Sequence, residues 1–197
     1  MDFLAISPLA VGLIFITSLA LFLSHDWRVS IASLGLQYLG VFMLVAVSWP
    51  TNLAVVKLVA GWMSASVLGI TRGGRMGRVK GQRMWPTEWF FRLMVAALVI
   101  SAAISLTPNI EEFVPNATIA QVSGGLLLIG MGLIHHALTQ HALQALLGLM
   151  TALSGFEILY AIVESSTLVA GLLAIINLGI AFVGAYLLAT HIIEDPV

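Results

Sequence analysis

The apolar block TLVAGLLAIINLGIAFVGAYLLAT, residues 167–190, decides the fold of this chain. It carries no Asp, Glu, Lys or Arg, and its only amide side chain is Asn177. A helix needs about 20 apolar residues to cross a hydrocarbon core about 30 Å thick, at a rise of about 1.5 Å per residue. The block therefore predicts a transmembrane α-helix, in which backbone groups hydrogen-bond internally without partner strands.

Blocks of similar length fill most of the remaining sequence. Hydrophobic residues make up 60% of the 197 residues, charged residues make up 9%, and the mean hydropathy is +1.06. An ordinary soluble domain has about 25% charged residues, so this composition excludes a water-soluble globule. We predict an all-α, polytopic transmembrane helical bundle of about seven helices. The predicted helices are residues 3–23, 29–49, 51–71, 89–107, 118–136, 142–162 and 167–190, with breaks at polar or turn-forming clusters that include Pro108-Asn109 and Pro115-Asn116.

The composition also excludes several classes of function. Eight Lys and Arg residues against nine Asp and Glu give a formal net charge of -1, and the basic residues are too few and too localised to follow a nucleic acid. The absence of cysteine excludes thiolate metal ligands and a cysteine nucleophile. His135, His136 and His141 have no carboxylate or thiolate near them in sequence, so we predict interfacial histidines rather than a metal site. We predict no catalytic residues and no cofactor.

The longest polar segment, Arg72 to Glu88, predicts the orientation in the membrane. It is rich in basic residues, and basic loops stay on the cytoplasmic side. Its basic residues are Arg72, Arg75, Arg78, Lys80 and Arg83. We predict that the chain crosses the cell inner (cytoplasmic) membrane. Seven spans threaded from this loop put the N-terminus outside and the C-terminus in the cytoplasm. Six of the eight basic residues then lie in cytoplasmic loops. We expect these loop residues to contact anionic lipids, the alternative being a docking strip for a cytoplasmic partner.

Helices one to three can be laid over helices five to seven. In each unit a span leads to a polar turn with His, then to a span with Gly-Leu, and then to a span with one polar residue in an aliphatic run. Two such units in the same orientation need one extra crossing between them, which helix four supplies. We therefore predict two parallel three-helix repeats, residues 1–71 and 118–197, joined by a loop and one connecting helix in residues 72–117.

Two ionisable side chains lie inside predicted spans at similar depth. Lys57 is about six residues from the outer end of helix three, roughly 9 Å deep at helical rise, and Glu157 is about five residues from the outer end of helix six. The two charges can meet across a helix interface and neutralise each other. The alternative is that each side chain snorkels separately to the outer interface.

Gln37 in helix two and Asn177 near the middle of helix seven are the amides at membrane depth that we consider alongside this pair. Neither can ionise, but both can hydrogen-bond across helices or hold water. Lys57, Glu157, Gln37 and Asn177 are therefore the candidate residues of a proton path, and structural hydrogen bonding is the alternative use of the two amides.

The stretch Gly124–His191 resembles the K-type subunit of respiratory complex I and the equivalent C subunit of Mrp antiporters. The resemblance rests on three spans, a polar turn after the first, Gly148-Leu149 in the second and Asn177 in the third. The whole chain is similar to the component E membrane subunit of formate hydrogenlyase and hydrogenase-four type complexes, which adds further helices to that unit. Gln37 in helix two and Lys57 in helix three extend the similarity to the first half.

The resemblance implies a place between the antiporter-like subunits and the quinone-side or hydrogenase-side membrane subunit, with buried glutamates of the second and third helices in a hydrated proton path. This sequence departs at both glutamate positions, where it has Met150 and Asn177. Either the path runs through Lys57, Glu157 and water, or the subunit has kept the scaffold and lost conduction.

These observations lead to three hypotheses for the function of the protein. The first is an integral membrane subunit of a complex I-like or membrane-bound hydrogenase-like energy-converting complex, contributing to the membrane arm and to proton translocation. The second is a purely structural membrane subunit of another bioenergetic complex with no ion transfer. The third, a stand-alone seven-helix sensor or carrier, is the least favoured because few polar groups lie at the midplane.

Overall fold

The computed structural model describes residues 3–24, 26–73 and 86–190. In these ranges the chain forms seven α-helices, each long and apolar enough to cross a membrane, and the all-α transmembrane prediction is confirmed. The helices are α1 (Phe3–Leu23), α2 (Trp27–Ser48), α3 (Thr51–Gly73), α4 (Pro86–Phe113), α5 (Ile119–Leu138), α6 (Ala142–Val163) and α7 (Thr167–Thr190).

Six of the seven helices lie within a few residues of the predicted spans, but α4 is longer than predicted. The sequence predicts residues 89–107 with a break at Pro108, whereas Pro108 lies inside α4 and the predicted break is wrong. A proline removes one backbone N–H, a loss that a transmembrane helix tolerates when nearby hydroxyls and neighbouring helices offer other hydrogen bonds. The carbonyl that Pro108 leaves without its helical donor is that of Ile104, while the Thr107 hydroxyl donates to the preceding carbonyl, that of Ala103, at 2.7 Å.

The helix α4 instead ends at Phe113, close to the second predicted break. Asn116 follows with φ 64°, in the left-handed region that Asn adopts more readily than most residues, and it reverses the chain toward α5. Glu111 and Glu112, predicted in a loop, therefore lie in the last turn of α4.

Polar side chains cap two of the helices where the predicted turns fall. The carboxylate of Asp26 accepts a hydrogen bond from the backbone N–H of Arg28 at 2.9 Å and starts α2. Thr118 starts α5 by accepting from the backbone N–H of Gln121 at 3.2 Å. Short polar turns thus end one span and begin the next, which places consecutive helices side by side and antiparallel.

The helices form two rows of three. In the first row α2 lies between α1 and α3, and in the second row α6 lies between α5 and α7. Each helix also packs against its counterpart in the other row: α1 against α5, α2 against α6, and α3 against α7. The remaining helix, α4, packs against α5 and α1. This order is what two parallel repeats joined by one helix would give, while the division at residues 71 and 118 stays a prediction.

The two rows enclose two four-helix rings that share the α2–α6 edge. The ring of α1, α2, α6 and α5, with α4 against it, has an apolar core that includes Ile14, Leu44, Leu128 and Ile158. We call the ring of α2, α3, α7 and α6 the polar ring, because buried polar side chains from all four helices face its interior. The Trp49 end of the bundle holds the turn from α2 to α3, and the basic-loop end is the opposite end.

The helices α5 and α6 approach closely through paired glycines. A Cβ atom built on Gly132 would lie 2.6 Å from the carbonyl oxygen of Gly148, and one built on Gly155 would lie 2.5 Å from that of Gly125. Real Cβ atoms do not approach backbone atoms so closely, so only glycine permits this contact. Small residues at helix interfaces are typical of membrane helix packing, where backbones come together without a bulky side chain between them.

Part of the predicted basic loop lies outside the described residues. Arg72 occupies the last turn of α3. The predictions for the other basic residues of the loop, and for the histidine in the polar turn of the first repeat, lie outside those ranges. These residues are Arg75, Arg78, Lys80, Arg83 and His25.

Candidate functional site

Lys57 lies on the face of α3 that points into the polar ring. Its neighbours Val55 and Val56 are 39% and 42% exposed, whereas Lys57 is 1% exposed. The buried stripe of α3 recurs at helical spacing and consists of Ala54, Lys57, Ala60, Gly61, Ser64, Ala65 and Leu68. Lys57 follows the first residue of α3, Thr51, by six positions, which puts it roughly 9 Å from the Trp49 end at helical rise.

Glu157 meets Lys57 from the diagonally opposite helix of the ring. It lies on the face of α6 that also carries Thr151 and Ser154, six positions before the end of the helix at Val163. Its carboxylate and the Lys57 ammonium form an ion pair in which both side chains are 1% exposed. The structure therefore brings together the two charges considered in the sequence, and neither side chain snorkels to an interface. The pair is neutral as a unit, which lowers the cost of holding it in an apolar bundle.

A second polar pair crosses the other diagonal of the ring. The Tyr38 hydroxyl on α2 donates to Asn177 Oδ1 on α7 at 2.9 Å, and Ser154 is a further hydrogen-bonding neighbour of this phenol. The Tyr38 ring lies directly over Gly61, where a Cβ atom would be 2.3 Å from it. Tyr38 and Asn177 are each ten positions from the Trp49 ends of their helices, so this pair lies about 6 Å, or one helical turn, deeper than the ion pair.

The two diagonals are related by exchanging the rows. Lys57 on the third helix of the first row reaches the middle helix of the second row, and Asn177 on the third helix of the second row reaches the middle helix of the first. The third helix of one row thus contacts the middle helix of the other row twice, once through two charged side chains and once through two neutral ones. This relation agrees with an internal repeat in which one copy is ionic and the other is not.

Gln37 completes the site on the shared edge of the two rings. Its amide nitrogen donates to the Thr151 hydroxyl at 3.3 Å, and that hydroxyl donates to the carbonyl of Leu147 at 2.8 Å. Because the single Thr151 proton goes to Leu147, Thr151 acts as the acceptor for Gln37, which fixes the orientation of the Gln37 amide.

Three polar atoms around these pairs are buried and have no hydrogen-bond partner among the described residues: Gln37 Oε1, Ser64 Oγ and Asn177 Nδ2. They provide an acceptor, a hydroxyl and a donor. An unsatisfied buried group costs about 1–3 kcal/mol, and water is the ordinary partner of such groups in a protein interior. The candidate site therefore has unused hydrogen-bonding atoms beside a Lys–Glu pair.

Both ends of the polar ring are closed by other contacts. Toward the basic-loop end, Leu34, Leu68 and Leu147 are fully buried and belong to one apolar cluster. At the Trp49 end, the Trp49 indole N–H donates to the carbonyl of Glu164 at 2.8 Å and ties the α2–α3 turn to the α6–α7 turn. The ion pair is thus enclosed within the chain.

A separate group of polar contacts lies near the basic-loop end. Gln144 donates to the Ser30 hydroxyl at 3.1 Å, and its amide oxygen lies 3.0 Å from His135 Nε2. The Arg92 guanidinium donates to the carbonyl of Phe22 at 2.9 Å. His135 lies in the last turn of α5 and is only 3% exposed, because it packs between helices with its Nε2 against Gln144. Its place at the membrane interface stays a prediction.

The sequence alone does not single out Tyr38, Ser64, Thr151 or Ser154 as members of the site. A usable signal was present on α6, where Thr151, Ser154 and Glu157 recur every three residues within an apolar block. The role of Tyr38 had no such signal, because its partner lies 139 positions away.

Fold and site together define an integral, multi-pass membrane protein whose described helices enclose a Lys–Glu pair. The chain matches no protein-family model, and neither curated proteins nor solved structures give a match.

Proposed function

We propose that this protein is a membrane subunit of a complex I-like or membrane-bound hydrogenase-like energy-converting complex, and that Lys57 and Glu157 form part of a proton path. The observation that carries the proposal is the enclosed ion pair on a diagonal of the polar ring. An ionisable group at membrane depth costs roughly 2.5–3.5 kcal/mol on insertion scales, so such groups usually serve ion or proton movement. The sequence resemblance supplies the kind of complex.

The surroundings of the pair support proton transfer chemically. A proton can be shared between a Lys ammonium and a carboxylate in contact, and it needs hydrogen-bonding groups or water to arrive and leave. Gln37, Ser64 and Asn177 carry the buried polar atoms that can hold such water. Met150 and Asn177, which stand where the similar subunits have glutamates, are not proton carriers, so the path is proposed to run through Lys57 and Glu157.

A second candidate is a structural subunit with no ion transfer. The observation in its favour is the same pair of replacements, Met150 and Asn177, which remove ionisable groups from the second repeat. In this case the ion pair and the Tyr38–Asn177 hydrogen bond fix the register of the helices.

Purification of the full chain from its native membrane in mild detergent tests the kind of complex. Mass spectrometry of the co-purifying proteins is expected to find antiporter-like subunits and a quinone-side or hydrogenase-side membrane subunit. A chain that purifies alone, or with subunits of an unrelated bioenergetic complex, would contradict the first candidate. The Lys57→Ala variant then separates the two roles, because unchanged proton pumping by the assembled complex favours the structural one.

A further inference from the structure

A groove lies on the outer surface of the bundle, in the cleft where α2 and α3 meet. It is a shallow, open groove of about 450 Å³, lined by Ile31, Gly35, Trp62, Ala65, Ser66, Gly69 and Ile70. Its polar groups are already satisfied, since the Trp62 indole N–H donates to the carbonyl of Gly35 at 3.0 Å and the Ser66 hydroxyl donates to the carbonyl of Trp62 at 2.7 Å. The groove therefore offers apolar contact to a hydrocarbon chain and no free polar group.

A second groove of about 420 Å³ lies on the other side of the same ridge of α3. The ridge consists of Trp62, Ser66 and Ile70, which follow one another at four-residue spacing and line both grooves. Val59, Met63 and Val67 line the second groove. Two apolar grooves on either side of one ridge match the two acyl chains of a single phospholipid.

Two arginines lie at the basic-loop end of this surface. A Cβ atom built on Gly73 would be 3.4 Å from the Trp27 ring, so the start of α2 lies beside the end of α3. The Arg28 guanidinium lies 5.4 Å from the centroid of the Trp27 ring, and Arg72 precedes Gly73 in the last turn of α3. Arg28 and Arg72 are therefore each about one helical turn from residues that line the groove.

The charge at this end is positive among the described residues nearest the groove. Asp26 is the acid closest to Arg28 in sequence, and its carboxylate accepts the backbone N–H of Arg28 as the cap of α2. One carboxylate against two guanidiniums leaves an excess of positive charge beside an apolar groove. A guanidinium binds a phosphate through paired N–H groups, and Trp27 has the amphipathic side chain typical of the headgroup region.

We propose that this surface is a specific site for an anionic phospholipid of the surrounding bilayer. The acyl chains lie in the two grooves beside Trp62, and the phosphate lies between Arg28 and Arg72. The site faces lipid rather than the polar ring, so it does not depend on the proposed proton path.

Substitution of Gly35 by Leu tests the groove without disturbing the fold. A Cβ atom at Gly35 has no heavy atom within 4 Å, so a leucine side chain enters open space in the groove. Gly12→Leu is the matched control, since Gly12 on α1 is equally open and lies outside the groove. The full chain in mild detergent is mixed with equimolar phosphatidylglycerol and phosphatidylcholine, and bound lipid is counted by native mass spectrometry. Gly35→Leu is expected to lower the phosphatidylglycerol adduct at least fivefold, and Gly12→Leu to leave it unchanged.

The double variant Arg28→Gln with Arg72→Gln tests the headgroup contact in the same measurement. The preference for phosphatidylglycerol over phosphatidylcholine is expected to fall roughly tenfold, because each basic residue near the headgroups adds to the attraction of an anionic lipid. Arg28→Lys with Arg72→Lys keeps the charge and is expected to retain most of the preference. If Gly35→Leu binds as much phosphatidylglycerol as the native chain, the proposed site is wrong whatever the arginine variants show. Lipid held by charge alone, without the groove, does not occupy a specific site. An unchanged preference in the Gln variant overturns it equally.

Discussion

Lys57 and Glu157 depend on each other because each removes the other's charge from an apolar interior. Taking one charge away leaves the other buried without a counter-ion, which typically costs about 3–5 kcal/mol. Replacing both by apolar side chains of similar size is often neutral or stabilising. An apolar pair is thus expected to stabilise this position about as well, and we take the retained ion pair as an argument for a role in function.

Single and double variants of this pair test that dependence. Lys57→Met is expected to lower the free energy of unfolding by about 3–5 kcal/mol, whereas Lys57→Met with Glu157→Leu is expected to recover most of the loss. Thermal or denaturant unfolding of the purified chain in detergent measures both. Val56→Met serves as the control, because Val56 is adjacent in sequence but lies on the exposed face of α3. A double variant that is as unstable as Lys57→Met would contradict the pairing.

For single residues, the sequence predicts the depth of a side chain in the membrane better than it predicts which side chain it contacts. The positions of Lys57 and Glu157 relative to the ends of their spans follow from counting residues, and equal depth made their pairing an available prediction. The partner of Asn177 did not follow, because no spacing in the sequence shows which of six other helices an amide on α7 will face. The structure places Tyr38 there, over Gly61.

At the scale of helices, close packing of α5 and α6 depends on glycines spaced seven residues apart. Gly125 and Gly132 on α5 face Gly155 and Gly148 on α6. Seven residues are close to two helical turns, so both glycines of a helix lie on one face. The sequence shows many small residues in the spans, but it does not show which of them meet, because glycines such as Gly171 lie in the same kind of block with open space around them.

Gly132→Ala tests the α5–α6 contact. The new methyl group would lie 2.3 Å from the backbone nitrogen of Ala152, so the helices must separate. We expect a loss of about 1–3 kcal/mol in the free energy of unfolding, the usual cost of overpacking. Gly171→Ala meets no heavy atom within 4 Å and is expected to be neutral or stabilising by up to about 1 kcal/mol, because alanine favours the helix. Equal effects of the two substitutions in detergent unfolding would contradict the packing.

The ends of the helices show where sequence rules apply in a membrane. Asp26 and Thr118 cap helices at predicted turns because their side chains replace missing backbone partners. Pro108 does not end α4, because a membrane-spanning helix tolerates an internal proline when neighbouring groups can satisfy the carbonyl that proline frees. In lipid the helix is the only local way to satisfy most backbone groups, and it continues to Phe113.

At the scale of the whole molecule, the two rows of three helices account for the odd number of described spans. The third helix of the first row and the first helix of the second row run in the same direction only if one helix lies between them in the chain, and α4 is that helix. Composition and block length were enough to predict this count. The rings were not predictable, because the same seven spans can pack in many ways.

Cysteine labelling tests the predicted orientation directly, because the chain has no native cysteine. Thr139→Cys in the α5–α6 turn and Asn116→Cys in the α4–α5 turn lie at opposite ends of α5. The basic loop predicts that a membrane-impermeant maleimide added to intact cells labels Asn116→Cys, and that Thr139→Cys is labelled only after the membrane is opened. The reverse pattern would contradict the orientation, and labelling of both from one side would contradict a span between them.

Proton translocation by the assembled complex is the most direct test of the central claim. In sealed membrane vesicles driven by the electron donor of the complex, a pH-sensitive dye compares the native protein with the variant that carries Lys57→Met and Glu157→Leu. We predict normal assembly and electron transfer, with proton uptake reduced at least tenfold, because the variant keeps the packing and removes both ionisable groups. Proton uptake equal to that of the native complex would contradict a proton path through this pair.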